Sequence, residues 1–430
     1  MNEKNGLLFP QEVLKKIKDE FYFVDGDEGG ERLFFDNSGG SLRLKACVEA
    51  KGSLECYPDC PERTHARARA LKKIVVDGTR DILGTMFGGA DGALITELTA
   101  SQVMFHIVEI ILENTEGTNA VVSSVEHPSA FDAMAYYCQK TGKELRVLPV
   151  DQGTGAVSPE IIRDYVDENT ALLSVMSASN VTGSIMDIGA IVREARAIKP
   201  DLYIISDAVQ HAPHACMEAQ KLGLDGMNFA PYKFFGIRGC GFGYVSDRVA
   251  RLPHRKLIRK PETVFELGTS APANFLAAQE IMNYVARIGS YFLDGQDRAM
   301  LYREGMRRIH LHERALLSRL LEGTEDVPGL RYIKGVTVHA DCEDLTKRDL
   351  IAAISIEGLT EQEGVAEYEK RGVIVCDRAK SSMYAERILN ALGIEGAIRV
   401  SPLHCHGVED IDKFLQITKE IAALAQSKRA

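Results

Sequence analysis

The sequence predicts an α/β protein: a mainly parallel seven-stranded sheet flanked by helices, with a smaller α+β domain toward the C-terminus. Seven short apolar runs recur, at 92–96, 120–124, 145–150, 171–176, 203–206, 226–229 and 241–245. Such runs are the pattern of strands buried on both faces. Helical periodicity separates them, as at 159–166 and 188–198, which implies helices on both sides of a parallel sheet. After about residue 290 the texture changes.

A long charged helical stretch (296–321) leads to a strand at 350–356, a helix from Thr360, strands at 372–376 and 397–400, and a terminal helix from Val408. No long linker, low-complexity segment or repeat interrupts this order.

At 430 residues, 45% hydrophobic and 26% charged, the composition is that of an ordinary globular protein. A formal net charge of −10 disfavours a nucleic-acid partner, since a polyanion needs a basic face. The densest basic run, 251–260, reads as a solvated loop. The N-terminus lacks the charged-then-apolar order of a secretion signal, and no apolar run reaches the ~18 residues of a membrane helix, so a cytoplasmic protein with no membrane partner is expected. Nine scattered cysteines, an odd number, read as reduced thiols. Cys56-x-x-x-Cys60 and His404-Cys405-His406 each lack a second ligand pair at finger-like spacing, so no metal is expected.

In parallel sheets the functional loops sit at the C-terminal ends of strands. Asp207 ends the apolar run 202–207, and Ala230-Pro-Tyr-Lys-Phe-Phe-Gly-Ile-Arg-Gly-Cys-Gly follows the run 226–229. A lysine before a glycine-rich turn can form an imine with an aldehyde if its ammonium loses a proton in a desolvated pocket. Lys233 is placed for this. Asp207 can hold a protonated pyridine nitrogen and keep such a ring an electron sink. Alone, each has a plainer reading, a surface lysine and a helix cap; together they point to pyridoxal phosphate.

The series Asp-x-x-Gln, strand, Lys-x-x-Gly-x-x-Gly-x-Gly resembles the class V aminotransferase family, in its cysteine desulfurase-like branch. The resemblance implies a fold type I pyridoxal phosphate enzyme. In that fold residues 31–290 form a large cofactor-binding domain, and 1–30 with 291–430 a small one. It implies that Lys233 carries pyridoxal 5'-phosphate, that Asp207 pairs the pyridine nitrogen and that Gln210 sits near the ring hydroxyl.

Other segments match position by position. Thr96-Glu-Leu-Thr-Ala-Ser-Gln102 resembles the family's phosphate cup at a helix N-terminus, with Thr99 as its first threonine and Ala100 in place of its second. A plain helix cap is the alternative there. Tyr232 stands where desulfurases have a histidine, so its hydroxyl takes over a phosphate contact. His127, in Val125-Glu-His-Pro-Ser129, matches the histidine that stacks on the ring; otherwise it is a turn residue. Asn180, in Ser179-Asn-Val-Thr-Gly183, matches an asparagine near ring and substrate; otherwise it is a left-handed turn residue. Thr269, in Glu266-Leu-Gly-Thr, matches the residue by which a neighbouring subunit reaches the phosphate, which implies a homodimer with shared sites. Arg399 matches the arginine that binds the carboxylate of a small amino-acid substrate, and Asn37 lies in a segment that lines the substrate entrance.

The resemblance implies desulfurase-like or C–S/β-elimination lyase chemistry; an aminotransferase exchanging its amino group with a keto acid is the alternative. One departure bears on the choice. Desulfurases carry a nucleophilic cysteine on a loop after the strand matching 372–376, where this chain has Cys376-Asp-Arg-Ala-Lys-Ser-Ser-Met383. Cys376 is expected to close a buried strand there.

Overall fold

The seven apolar runs form one sheet in the computed structural model, which describes residues 3–428. Its strands are β1 (Ala93–Glu97), β2 (Asn119–Ser123), β3 (Glu144–Leu148), β4 (Thr170–Ser174), β5 (Tyr203–Asp207), β6 (Gly226–Phe229) and β7 (Gly241–Val245). Their order is β1-β7-β6-β5-β4-β2-β3. β7 runs antiparallel to both its neighbours, and all other pairs are parallel.

Helices α1 (Gln11–Asp19), α2 (Lys45–Glu55) and α3 (Ala66–Asp81) precede the sheet in sequence. Helices α4 (Ala100–Asn114), α5 (Pro128–Thr141) and α6 (Ile188–Ile198) connect strands, and α7 (Pro272–Ser290) and α8 (Arg298–Glu322) follow them. Alternate residues of one strand enter opposite cores, as the period of two requires. Ala120 and Val122 of β2 share a core with Val103 and Ile107 of α4 and Met134 of α5. Val121 shares the other with Leu173, Ile191 of α6 and Ile281 of α7. Strand β3, at the sheet edge, is the exception: Glu144 is exposed, and Arg146 bonds Asp167 at 2.7 Å.

A second, antiparallel sheet comprises β8 (Val336–His339), β9 (Ala352–Ile356), β10 (Cys376–Ala379) and β11 (Gly396–Val400), in the order β8-β9-β11-β10. Helices α9 (Glu361–Glu369), α10 (Glu386–Leu392) and α11 (Val408–Ser427) accompany it. Its core joins Ile354 and Val400 to Leu316 and Leu320 of α8 and Phe414 and Ile421 of α11. Helix α9 starts at Thr360 because that residue and Glu363 form a reciprocal capping box.

The sheet departs from the sequence reading in two places. Strand β8 was not foreseen; it is a short, half-exposed edge strand with polar Thr337 and His339, so it carries little apolar signal. The run 372–376 is not one strand. Val373–Ile374 pairs in parallel with Leu33–Phe34, while Cys376 opens β10 beside β11. An unbroken apolar run conceals this change of partner. Cys376 is therefore half-buried at the start of a strand and does not close a buried one.

The N-terminal segment ties to α8 and α11. The Leu7 N–H donates to the Leu311 carbonyl at 2.9 Å, the Phe9 ring stacks on His312, and Lys18 bonds Asp410 at 3.2 Å.

Candidate active site

Strand β5 is apolar because it runs through the middle of the sheet, and it ends at Asp207. The Asp207 carboxylate is buried and accepts from the Val209 N–H at 2.9 Å, while its carbonyl accepts from Ser177 N–H at 2.8 Å. Burial raises its pKa; the Val209 N–H and the charge of Lys233 oppose that rise. The next strand, β6, leads into one 3-10 turn, Pro231–Lys233, closed by bonds from Lys233 N–H to the Ala230 carbonyl (3.0 Å) and from Gly236 N–H to the Pro231 carbonyl (2.8 Å). Phe235 then takes φ 60°, a left-handed conformation unusual for a bulky residue. Bonds to Ser41 Oγ (2.9 Å) and from Leu44 N–H (2.9 Å), with full burial of the ring, hold it there. Lys233 is thus fixed facing inward. Burial, and next the Arg399 guanidinium, pull its pKa down to about 8, so the amine is readily freed of its proton.

Eight of the residues singled out from sequence line one cavity of about 190 Å³ with Lys233 among them: Thr99, Ala100, His127, Asn180, Asp207, Gln210 and Tyr232 complete the set. Two acceptors in its wall, Gln210 Oε1 and Asn180 Oδ1, are buried with no partner, and so await a donor. Asn180 does not take the left-handed conformation; Gly183 does, at φ 76°.

His127 caps α5. Its Nδ1 accepts from the Ser129 N–H at 3.2 Å and lies 2.7 Å from Ser129 Oγ. Burial, then the charges of Lys233, Arg378, Arg387 and Arg399, hold its pKa down to about 3, so the ring stays neutral. Tyr384 stacks on it at 6.4 Å between centroids. Behind the ring, Glu126 accepts from Ser123 Oγ (2.7 Å) and Met176 N–H (2.5 Å), and burial pushes its pKa up to about 7. Arg387 of α10 clamps the same turn through the Glu126 carbonyl at 2.6 Å.

The opposite wall is the first turn of α4. Thr99 caps it, its Oγ1 accepting from Gln102 N–H at 3.1 Å. Unpaired N–H groups and the helix dipole make this turn suited to an anion. Two residues outside the sequence reading fix its place. Asn228 Nδ2 donates to the Ala100 carbonyl at 3.1 Å, and Gly241 lets β7 pass beneath, where a Cβ would fall 2.3 Å from Ala100 N. Arg238, also unforeseen, lies over the Tyr232 ring at 4.2 Å and lines the cavity.

Arg399 and Asn37 stand beside this cavity. Arg399, buried in β11, donates to the Asn180 carbonyl (3.1 Å) and to Asp36 Oδ1 (2.6 Å), and its Nε has no partner. Asn37 does not face the cavity. Its Nδ2 donates to the Phe34 and Ser401 carbonyls, both at 2.9 Å, and its Oδ1 accepts from Leu42 N–H at 3.0 Å. A buried amide with three partners holds a turn, and this turn carries Asp36 to Arg399.

Thr269 is exposed and lines a different cavity, of about 450 Å³, with Gln102, Glu266 and Leu267. The first turn of α4 is shared by both cavities, Thr99 facing one and Gln102 the other. Arg378 of β10, not singled out from sequence, completes the charged surroundings; its charge lowers the pKa of both Lys233 and His127.

A family model described as Aminotransferase class-V matches residues 33–414. The probable cysteine desulfurase 1 of Mycobacterium leprae is 25% identical over 321 residues, 71% of this chain and 48% of that protein, so the chain spans about half of that relative's length. The cysteine desulfurase IscS of Methanosarcina thermophila is 26% identical over 327 residues, 71% of this chain and 70% of that protein. The cysteine desulfurase of Thermococcus onnurineus NA1, solved in its apo form, superposes with a TM-score of 0.78 at 20% identity, covering 97% of this chain and 99% of that one. That likeness shows the fold, a seven-stranded sheet with a smaller sheet beside it. Because the family match runs from the strand before α2 into α11, the chain belongs to the class-V aminotransferase family.

Proposed function

We propose that the protein is a pyridoxal phosphate-dependent enzyme acting on a small amino acid, with desulfurase-like or C–S/β-elimination lyase chemistry. One observation carries the reading: a buried lysine with a pKa near 8 shares a small cavity with a buried aspartate, a neutral histidine and a helix N-terminus.

The residues fit the cofactor. Asp207 would hold the pyridine nitrogen, His127 lie on the ring face, and Gln210 and Asn180, whose side-chain oxygens lack donors, meet the ring hydroxyl. The first turn of α4 and Tyr232 would hold the phosphate. When bound, pyridoxal phosphate supplies an electron sink that loosens the bonds to the substrate Cα. Arg399 orients the substrate through its carboxylate. Lys233 would move the substrate's Cα proton, a task suited to an amine whose pKa is near the working pH.

A homodimer belongs to the same proposal. Thr269 is exposed and outside the lysine cavity of its own chain, and the neighbouring Leu257, Ile258 and Leu267 are more than half exposed, at 52%, 99% and 51%. A partner's 266–272 segment packed against α4 would cover these residues and bring a threonine to the phosphate. The nine unpaired thiols agree with a cytoplasmic setting. No helix among the described residues is long and apolar enough to cross a membrane.

Incubation of purified protein with a panel of amino acids tests the chemistry. Release of sulfide, or of ammonia with a keto acid, while the starting absorbance returns, supports elimination. Stable conversion to the pyridoxamine form with one keto acid released supports transamination instead.

A further inference from the structure

Strand β10 lies against β11 with Cys376 opposite Arg399 and Arg378 opposite Ala397. Opposite and alternate positions share a face, so Arg378 stands diagonal to Arg399 on the same side of the sheet. Its guanidinium is half-buried. Among the described residues its side chain makes one hydrogen bond, from Nη2 to the Tyr384 carbonyl at 2.8 Å, and its buried Nε has no partner. Among the described residues no carboxylate is bonded to it, and the charges of Asp36 and Asp377, which favour its charged form, are outweighed by burial and Arg399. Asp36 is bonded to Arg399, and Asp377 points to the other face, where it accepts from Gln362 Nε2 at 3.3 Å.

Burial and the charge of Arg399 both disfavour the charged Arg378, which nonetheless reaches Lys233 and His127 electrostatically. A partly buried guanidinium with no anion bonded to it is suited to receive one. The substrate's α-carboxylate goes to Arg399, which leaves Arg378 unanswered. Resting on the proposed amino-acid chemistry, we infer that Arg378 binds a second oxyanion on the substrate side chain, so that the preferred substrate is an amino acid with an acidic side chain.

Calorimetric titration of the cofactor-loaded enzyme with unreactive acids tests this. Succinate presents two carboxylates, propionate one, and 3-sulfopropanoate replaces the second carboxylate by a sulfur oxyacid. Succinate or 3-sulfopropanoate should bind at least about tenfold tighter than propionate, the scale of one charge-assisted bond, and the tighter of the two names the group. Arg378→Gln should abolish that margin while leaving propionate within about twofold, and Arg378→Lys should restore part of it. Equal binding of all three acids by the wild type, or an equal loss for mono- and diacids in Arg378→Gln, would overturn the assignment and leave Arg378 as an anchor for Tyr384. Reductive labelling of Lys233 reports separately on the cofactor reading. A normal label with no diacid preference removes the Arg378 role alone, whereas no label removes the reading beneath it.

Discussion

His214 Nδ1 and Glu313 Oε2 lie 2.7 Å apart, both fully buried, and join the loop after β5 to helix α8. The contact links the Asp207 strand end to the helix that carries the second sheet. Asp349 nearby bonds His211 at 2.9 Å and adds to the same field. Burial works against a charged His214, but the two carboxylates prevail and raise its pKa from 6.5 to about 9. A raised folded-state pKa stabilises fully below the unfolded value and loses that stabilisation as pH climbs through the folded one. Thermal stability should therefore fall between about pH 6.5 and 9. Glu313→Gln should flatten that limb of the Tm–pH curve; an unchanged slope would show that His214 is not the group responsible.

Asn37→Ala should destabilise the protein by about 1–3 kcal/mol, since removal leaves buried backbone groups without partners. Denaturant unfolding measures this directly. A stable variant with only a raised KM would instead place Asn37 at the substrate.

Asp207→Asn keeps an acceptor for the Val209 N–H but removes the negative charge. Cofactor should still bind, while kcat falls by roughly 100-fold, or about 2.7 kcal/mol of barrier. Near-normal turnover would contradict the pyridinium role.

Cys376→Ala should retain more than about a tenth of the activity, a smaller loss than the ~10²-fold expected for a covalent nucleophile. Burial raises the pKa of this thiol, and Sγ is already bonded to the Asp377 carbonyl at 3.3 Å. Its place opposite Arg399 makes the test informative. A dead variant with normal cofactor absorbance, and a persulfide trapped on Cys376, would restore the desulfurase mechanism in its usual form.

The large sheet was legible because its strands are short apolar runs, with helical patterns such as 188–198 between several of them. The lysine and the aspartate were legible because they sit just past such runs, where chemistry in a parallel sheet must lie. Arg378 was not, since nothing in Cys376-Asp-Arg-Ala shows that this arginine lies diagonal to another 21 positions later; only the register of β10 on β11 does. Asn37 matched a segment at the substrate entrance, but sequence gives no sign that its amide is fully used by the backbone. Asn228 and Gly241 escaped notice for a related reason: they act through the placement of α4, a tertiary relation that no local pattern records.

Lys233 is the proposed cofactor-bearing amine, and borohydride reduction of the loaded enzyme, followed by proteolysis and mass spectrometry, identifies the residue that carries the label. A pyridoxyl mass is expected on the peptide containing Lys233 and none in a folded Lys233→Ala variant, since only a side-chain amine can make that bond. A label on another lysine, or no label on a protein saturated with pyridoxal phosphate, would contradict it.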